Sequence, residues 1–407
     1  MAVGEALQGP LLPVPGVTIG VACAGIKKPN RRDLVVFQLT EGSSVAGVFT
    51  TNAFCAAPVV VAREHLASGE PIRCLVVNTG NANAGTGEQG LADARETCAR
   101  LAALRHLETE QVLPFSTGVI GEYLPMETLA NGLPNALATL MADNWSDAAH
   151  GIMTTDTRPK GCSRQFEFEG ETITVTGIAK GSGMIKPNMA TMLGFVATDA
   201  PVPQALLQSL LSEANEASFN RITIDSDTST NDACMLMATG RADVKPVTSA
   251  EDPLYRHLLK TVREVMLDLA HALVRDGEGA TKFVKVAVEQ AASTEEALAV
   301  AYTIAHSPLV KTALTASDAN WGRILAAVGR SGVMDLDVDA VNIWLDDVQI
   351  VENGQRASGY TEAAGAAVCA QEELTIRVSL SRGDVSDRVW TTDLSYEYIR
   401  INAEYRT

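Results

Sequence analysis

Two kinds of hydrophobic period share this chain, and they do not alternate strictly. Short apolar runs such as "DLVVFQL" (33–39) and "IRCLVVN" (72–78) predict buried strands. Residues 164–181 alternate with period two on either side of Glu169-Gly170, the pattern of a hairpin with a two-residue turn. Strand-like runs return near 282–288, 342–351 and 374–380. Between them lie helical stretches at 91–107, at 205–219 with Leu206, Leu207, Leu210, Leu211 and Ala214 on one face, and at 253–276. A mixed order of this kind argues against a regular βαβ winding and predicts an α/β (mixed α+β) layered sandwich. The 407 residues exceed one ordinary core, so two lobes are expected.

Composition narrows the function. The formal net charge is -17, and the only dense basic cluster is "KKPNRR" at 27–32, which reads as a solvated loop. A nucleic-acid partner is therefore not expected. No run approaches the ~20 apolar residues of a membrane helix, so no membrane partner is expected either. Seven cysteines are spread along the chain without a C-x-x-C pair, which argues against a disulfide framework and against a zinc knuckle. Together with an N-terminus lacking a basic segment followed by an apolar core, this predicts a reducing, cytoplasmic location.

Several motifs invite chemistry and fail its requirements. "GTGEQG" (85–90) matches a dinucleotide fingerprint, but "TGNANAG" intervenes after the preceding strand, where tight geometry is required. A structural glycine loop is the better reading. "DSDTSTND" (225–232) resembles a calcium loop but has Thr230 and Leu236 where glycine and glutamate are needed. A buried hydrogen-bond network or pocket wall fits it better. The six histidines show no ligand spacing, and no metal site is expected.

"GSGMIKPNMATMLGF" (181–195) raises a different possibility. Without a histidine base, a threonine nucleophile can use its own α-amine, whose reference pKa of ~7.7–8.0 leaves part of it unprotonated near neutrality. Thr191 is internal as translated, so this requires a cut between Ala190 and Thr191. A buried strand threonine is the alternative.

The same segment, extended to "KGSGMIKPNMATMLGF" (180–195), resembles the self-cleavage segment of the ornithine acetyltransferase family. The similarity runs on in order through "GVFTTNAFCAAPV" (47–59), "NTGNANAGTG" (78–87), "STGVIGEYLP" (116–125), "IMTTDTRPK" (152–160), "DSDTSTND", "RDGEGATKF" (275–283), "SPLVKTALTASDANWGRI" (307–324) and "INAEYRT" (401–407). "LTASDAN" (314–320) is less aromatic than the family pattern and touches no residue named below. The resemblance implies an N-terminal-nucleophile-type enzyme that cuts itself between Ala190 and Thr191. The products would be an α chain (1–190) and a β chain (191–407), two of each forming a heterotetramer. Thr191 would carry acetyl from N-acetyl-L-ornithine to L-glutamate by a ping-pong route, with no cofactor. Acetyl-CoA serves some members as a second donor, and no motif separates those members. Thr117 and Gly118 match the oxyanion hole. Lys180, Glu278, Thr154, Asn402 and Thr407 match substrate contacts, with Thr155 and Thr157 as neighbouring registers for Thr154. Two other readings remain open at this point: an amidohydrolase or aminopeptidase with water as acceptor, and an uncut amino-acid-binding protein.

Overall fold

The computed structural model describes residues 2–186 and 192–404. The first seven strands are β1 (Val17–Ala22), β2 (Leu34–Leu39), β3 (Ser44–Phe49), β4 (Cys74–Asn81), β5 (Val112–Val119), β6 (Lys160–Phe168) and β7 (Glu171–Lys180). After residue 191 come β8 (Leu193–Thr198), β9 (Ala233–Ala238), β10 (Phe283–Ala291), β11 (Asn342–Leu345), β12 (Val348–Glu352), β13 (Gln355–Arg356), β14 (Glu373–Ser379) and β15 (Val385–Thr392). They form three sheets among the described residues, ordered β1-β2-β4-β5, β3-β9-β8-β7-β6 and β13-β12-β11-β14-β10-β15.

The first two sheets lie face to face. Val35, Phe37 and Leu39 of β2 pack against Ile178, Phe195 and Met235 of the facing sheet. Leu34 and Val36, the alternate residues of the same strand, point the other way onto the helices Gly87–Arg105 and Met126–Ala138. A strand covered on both faces has no solvent side, which is why β2 reads as an unbroken apolar run. The outer face of the second sheet is covered by the helices Gln204–Glu216 and Pro253–Arg275. The result is the expected layered sandwich, in the order helix, sheet, sheet, helix. The third sheet, with helices including Thr294–Ala305 and Trp321–Gly329, builds a second core and the second lobe.

Local signals account for several elements. The β6–β7 turn places Glu169 at φ 51° and Gly170 at φ 91°, the positive pair that a two-residue hairpin needs. The Pro253–Arg275 helix begins with Asp252 accepting from the Leu254 amide at 2.9 Å and with proline in its first turn. Two expectations need correction. The run 342–351 is a hairpin of two strands, because Asp346 adopts φ 47° and its carboxylate accepts from the Thr375 amide at 2.7 Å. The helix expected at 91–107 spans Gly87–Arg105, so "GTGEQG" supplies its first turn. Gly90 packs against Thr86, leaving no room for a Cβ, and the motif is structural.

Candidate active site

The site begins where β4 and β5, a parallel pair, lose register. Asn81 pairs with both Thr117 and Val119 across this irregularity. Gly118 sits there at φ 138°, and a Cβ on it would lie 2.3 Å from the Gly80 carbonyl carbon and 2.5 Å from the Asn81 amide. Only glycine allows this approach. Gly118→Ala is expected to destabilise the protein by at least about 2 kcal/mol, since both the backbone region and the contact are unfavourable. The midpoint of chemical denaturation measures it, and an unchanged midpoint would contradict the packing described.

Side-chain amides hold these strand ends in place. Ser116 Oγ donates to Asn78 Oδ1 at 2.6 Å, and Asn78 Nδ2 donates to the Asn81 carbonyl at 2.9 Å. Asn231 Nδ2 donates to the carbonyls of Ala82 at 2.6 Å and Ser116 at 2.9 Å. The asparagines of "NTGNANAGTG" and "DSDTSTND" are thus internal struts, as the buried-network reading of the second motif anticipated.

Lys180 ends β7 and is 8% exposed. Its Nζ donates to Thr117 Oγ1 at 3.1 Å. Burial pushes the ammonium pKa down, Asp156 pulls it back, and Lys160 adds to the depression. Asp156 and Lys160 belong to a buried ion triad. Lys160 Nζ lies 2.5 Å from Asp156 Oδ1 and 2.6 Å from Asp276 Oδ2, with all three side chains 0–1% exposed. Asp156 also accepts from the amides of Thr154 at 2.9 Å and Gly181 at 2.7 Å. Asp276 accepts from the Thr157 amide at 3.0 Å and from its hydroxyl. The triad therefore ties together the backbone around Thr154, Lys180 and Glu278. Burial alone would raise the Asp156 carboxyl, but Lys160 and Lys180 outweigh it and hold it well below the usual carboxylate range.

Glu278 stands two residues beyond Asp276, and its amide donates to the Ser182 carbonyl at 2.7 Å. Asn402, on the helix Tyr396–Ala403, donates to Glu278 Oε2 at 2.7 Å. Burial pushes the Glu278 carboxyl up, with Asp225 adding to it and Thr155 and Asn402 opposing. Asp225 accepts from the Met184 amide at 2.6 Å and the Ile185 amide at 2.8 Å, fixing the segment that passes over Glu278.

Thr117, Gly118, Thr154, Lys180, Glu278 and Asn402, all named from sequence, line one cavity of about 270 Å³. Thr155 lines it too, whereas the Thr157 hydroxyl is engaged by Asp276. Met192 and Leu193 complete part of the wall. Ala190, Thr191 and Thr407 lie outside the described residues. Sequence reading missed Asp232 and the triad. Asp232 sat unremarked inside "DSDTSTND", and Asp156 and Asp276 are too far apart in the chain to pair by inspection. Among the described residues, no group of three or more histidine, cysteine or acidic side chains could hold a metal ion.

A cavity of mixed polar and apolar lining that sets a buried lysine against two carboxyls and a positive-φ glycine has the character of an enzyme site for a small charged molecule. Residues 18–407 match the ArgJ family, and the chain belongs to it. Two curated relatives, from Pseudomonas fluorescens and Pseudomonas syringae pv. tomato, are each 59% identical over 407 residues and 100% of both chains; both are called arginine biosynthesis bifunctional protein ArgJ. A crystal structure of the protein of that name from Bacillus halodurans is 40% identical over 52% of this chain and 99% of its own, with a TM-score of 0.50. An ornithine acetyltransferase complexed with ornithine, from Mycobacterium tuberculosis, is 34% identical over 45% of this chain and 96% of its own, with a TM-score of 0.40.

Proposed function

We propose that the protein moves the acetyl group of N-acetyl-L-ornithine to L-glutamate through an acetyl ester on Thr191, after cutting itself between Ala190 and Thr191. Its family membership makes it an acetyltransferase of arginine biosynthesis. The single observation that carries the finer reading is convergence: six positions spread from residue 117 to residue 402 meet around one cavity. Met192, the neighbour of Thr191 in the chain, lines the same cavity. The solved Bacillus halodurans chain matches almost completely yet spans only about half of this one, as a product of a mid-chain cut would.

In this reading the Thr191 hydroxyl attacks the acetyl carbonyl while its own α-amine takes the hydroxyl proton. Thr117 and Gly118 hold the resulting oxyanion. Lys180 donates to Thr117 Oγ1, which leaves the threonine proton free to point at the intermediate and polarises it. A preorganised donor of this kind is worth ~3–4 kcal/mol. Lys180 attracts the amino-acid carboxylate, and Glu278, held by Asn402, faces the ornithine side-chain amine. Thr154 and Thr407 complete the substrate contacts. The route needs no cofactor; acetyl-CoA is a second donor to be tested. The proposal includes a cytoplasmic assembly of two α and two β chains.

The test is intact mass of the untagged protein under denaturing conditions, followed by an assay of acetyl transfer against release of free acetate. Two chains that meet between Ala190 and Thr191, with transfer exceeding hydrolysis, are expected. One uncut chain of 43.1 kDa, or acetate as the main product, would overturn the reading.

A further inference from the structure

Among the described residues, Asp232 is the one carboxyl on the cavity wall with an oxygen that accepts no hydrogen bond. It is 3% exposed, and its Oδ2 has no hydrogen-bond partner among the described residues. It immediately precedes β9, and the next amide, of Ala233, donates to the Met192 carbonyl at 3.0 Å. Asp232 is therefore level with Met192, one residue from Thr191 along the chain. Glu278, the other carboxyl on the wall, is already engaged by Asn402. A buried acid with an idle oxygen is costly unless something uses it.

The proposed transfer has a use for it. Breaking the amide C–N bond of N-acetylornithine turns an amide nitrogen bearing one proton into an ammonium bearing three. One of the two added protons comes from the Thr191 hydroxyl as the ester C–O bond forms; the other must come from elsewhere. In the second half the glutamate ammonium becomes an amide as its C–N bond forms and the ester C–O bond breaks. Two protons leave that nitrogen, one returning to the threonine oxygen and one going elsewhere. The α-amine of Thr191 handles the hydroxyl proton, so the other proton needs a second holder. Resting on the acetyl-transfer reading, we propose that Asp232 is that holder: it gives its proton to the departing amine and takes it back from the arriving one.

The surroundings suit this cycle. Burial holds the Asp232 carboxyl well above its ordinary pKa, while a hydrogen bond from Ser229 and the charge of Lys180 oppose the rise. The rise favours the protonated form at rest, and the charge of Lys180 favours the anion formed in the acetyl-enzyme. The other ionisable groups around Lys180 are Glu278 and Asp156 with its partner Lys160. The Thr50 amide, just after β3, donates to the Asp232 carbonyl, and in the segment entering β8 the Met192 carbonyl accepts from the amide of the next residue, Ala233. The α-amine created at Thr191 is the remaining titrating group of the reaction.

Asp232→Asn keeps the shape and removes the proton store. Single-turnover acylation separates its role from a structural one by changing the leaving group. With N-acetylornithine the rate is expected to fall at least ~100-fold. With p-nitrophenyl acetate, whose phenolate leaves without needing a proton, the loss is expected to be far smaller. Equal losses with both donors, or no loss with either, would overturn the proposal. If the variant accumulates uncut, the wild-type pH profile decides. Acylation by N-acetylornithine should fall on the alkaline side while acylation by the ester does not, and a shared alkaline limb would overturn the proposal. Failure of the wild type to transfer acetyl from N-acetylornithine to glutamate would instead sink the reading on which it rests.

Discussion

Thr191→Ala is expected to yield one chain of 43.1 kDa with no acetyl transfer. A single hydroxyl serves twice in the proposed chemistry, first against the Ala190 carbonyl and then against the acetyl carbonyl. Removing it abolishes both steps, and the uncut chain also lacks the α-amine that would act as base. Turnover should fall by more than ~10⁴-fold, the scale of losing a covalent nucleophile. Thr191→Ser keeps a hydroxyl and should recover part of both activities. Intact mass and the transfer assay read the two effects separately. Two chains in the alanine variant would assign the cut to a protease or to another residue.

Lys160→Ala has the largest expected effect on stability. The lysine neutralises two carboxylates, at 2.5 and 2.6 Å, where all three side chains are closed to solvent. Its removal strands two buried acids and should cost about 3–5 kcal/mol. The same change loosens the supports of Thr154 and Gly181, so KM for both substrates should rise in whatever fraction still folds. The denaturation midpoint and KM test the two statements. Replacing Lys160 by Met together with Asp156→Asn and Asp276→Asn removes all the charge, and should recover much of the lost stability if stranded charge is the cause. The pH dependence has a definite sign. The Asp156 pKa is depressed on folding, so its contribution is complete above the ordinary carboxylate range and fades only in strong acid. Mild acidification should not open this part of the structure.

Much of this architecture was legible locally. The Glu169-Gly170 turn, the Asp252-Pro253 helix start and the buried run of β2 each follow from rules acting over a few residues. The site was legible through ordered motifs, and six of its positions fell into one cavity. What escaped was pairing at a distance. Lys160 and Asp276 are 116 residues apart, and no local pattern announces that a lysine will be sealed between two aspartates. Asp232 escaped for the opposite reason: its isolation is a property of the folded surroundings. The division of 342–351 into two strands turned on one residue, Asp346, entering the left-handed region, which an apolar run does not reveal.

The middle sheet runs β3-β9-β8-β7-β6. β8 and β9 come from after residue 191, and their neighbours on both sides come from before it. A break near residue 190 would therefore leave the pair β9-β8 of one polypeptide held between β3 and β7 of the other, so that no single seam would separate the two. Under the proposed self-cleavage, the sheet would form while the chain is continuous and be severed only afterwards. After such a cut, renaturation would become a meeting of two molecules and slow on dilution, whereas an intact precursor would refold at a rate indifferent to concentration. Such a cut would make assembly a historical event: the mature protein would be durable because it cannot easily come apart, not because it could readily be made again.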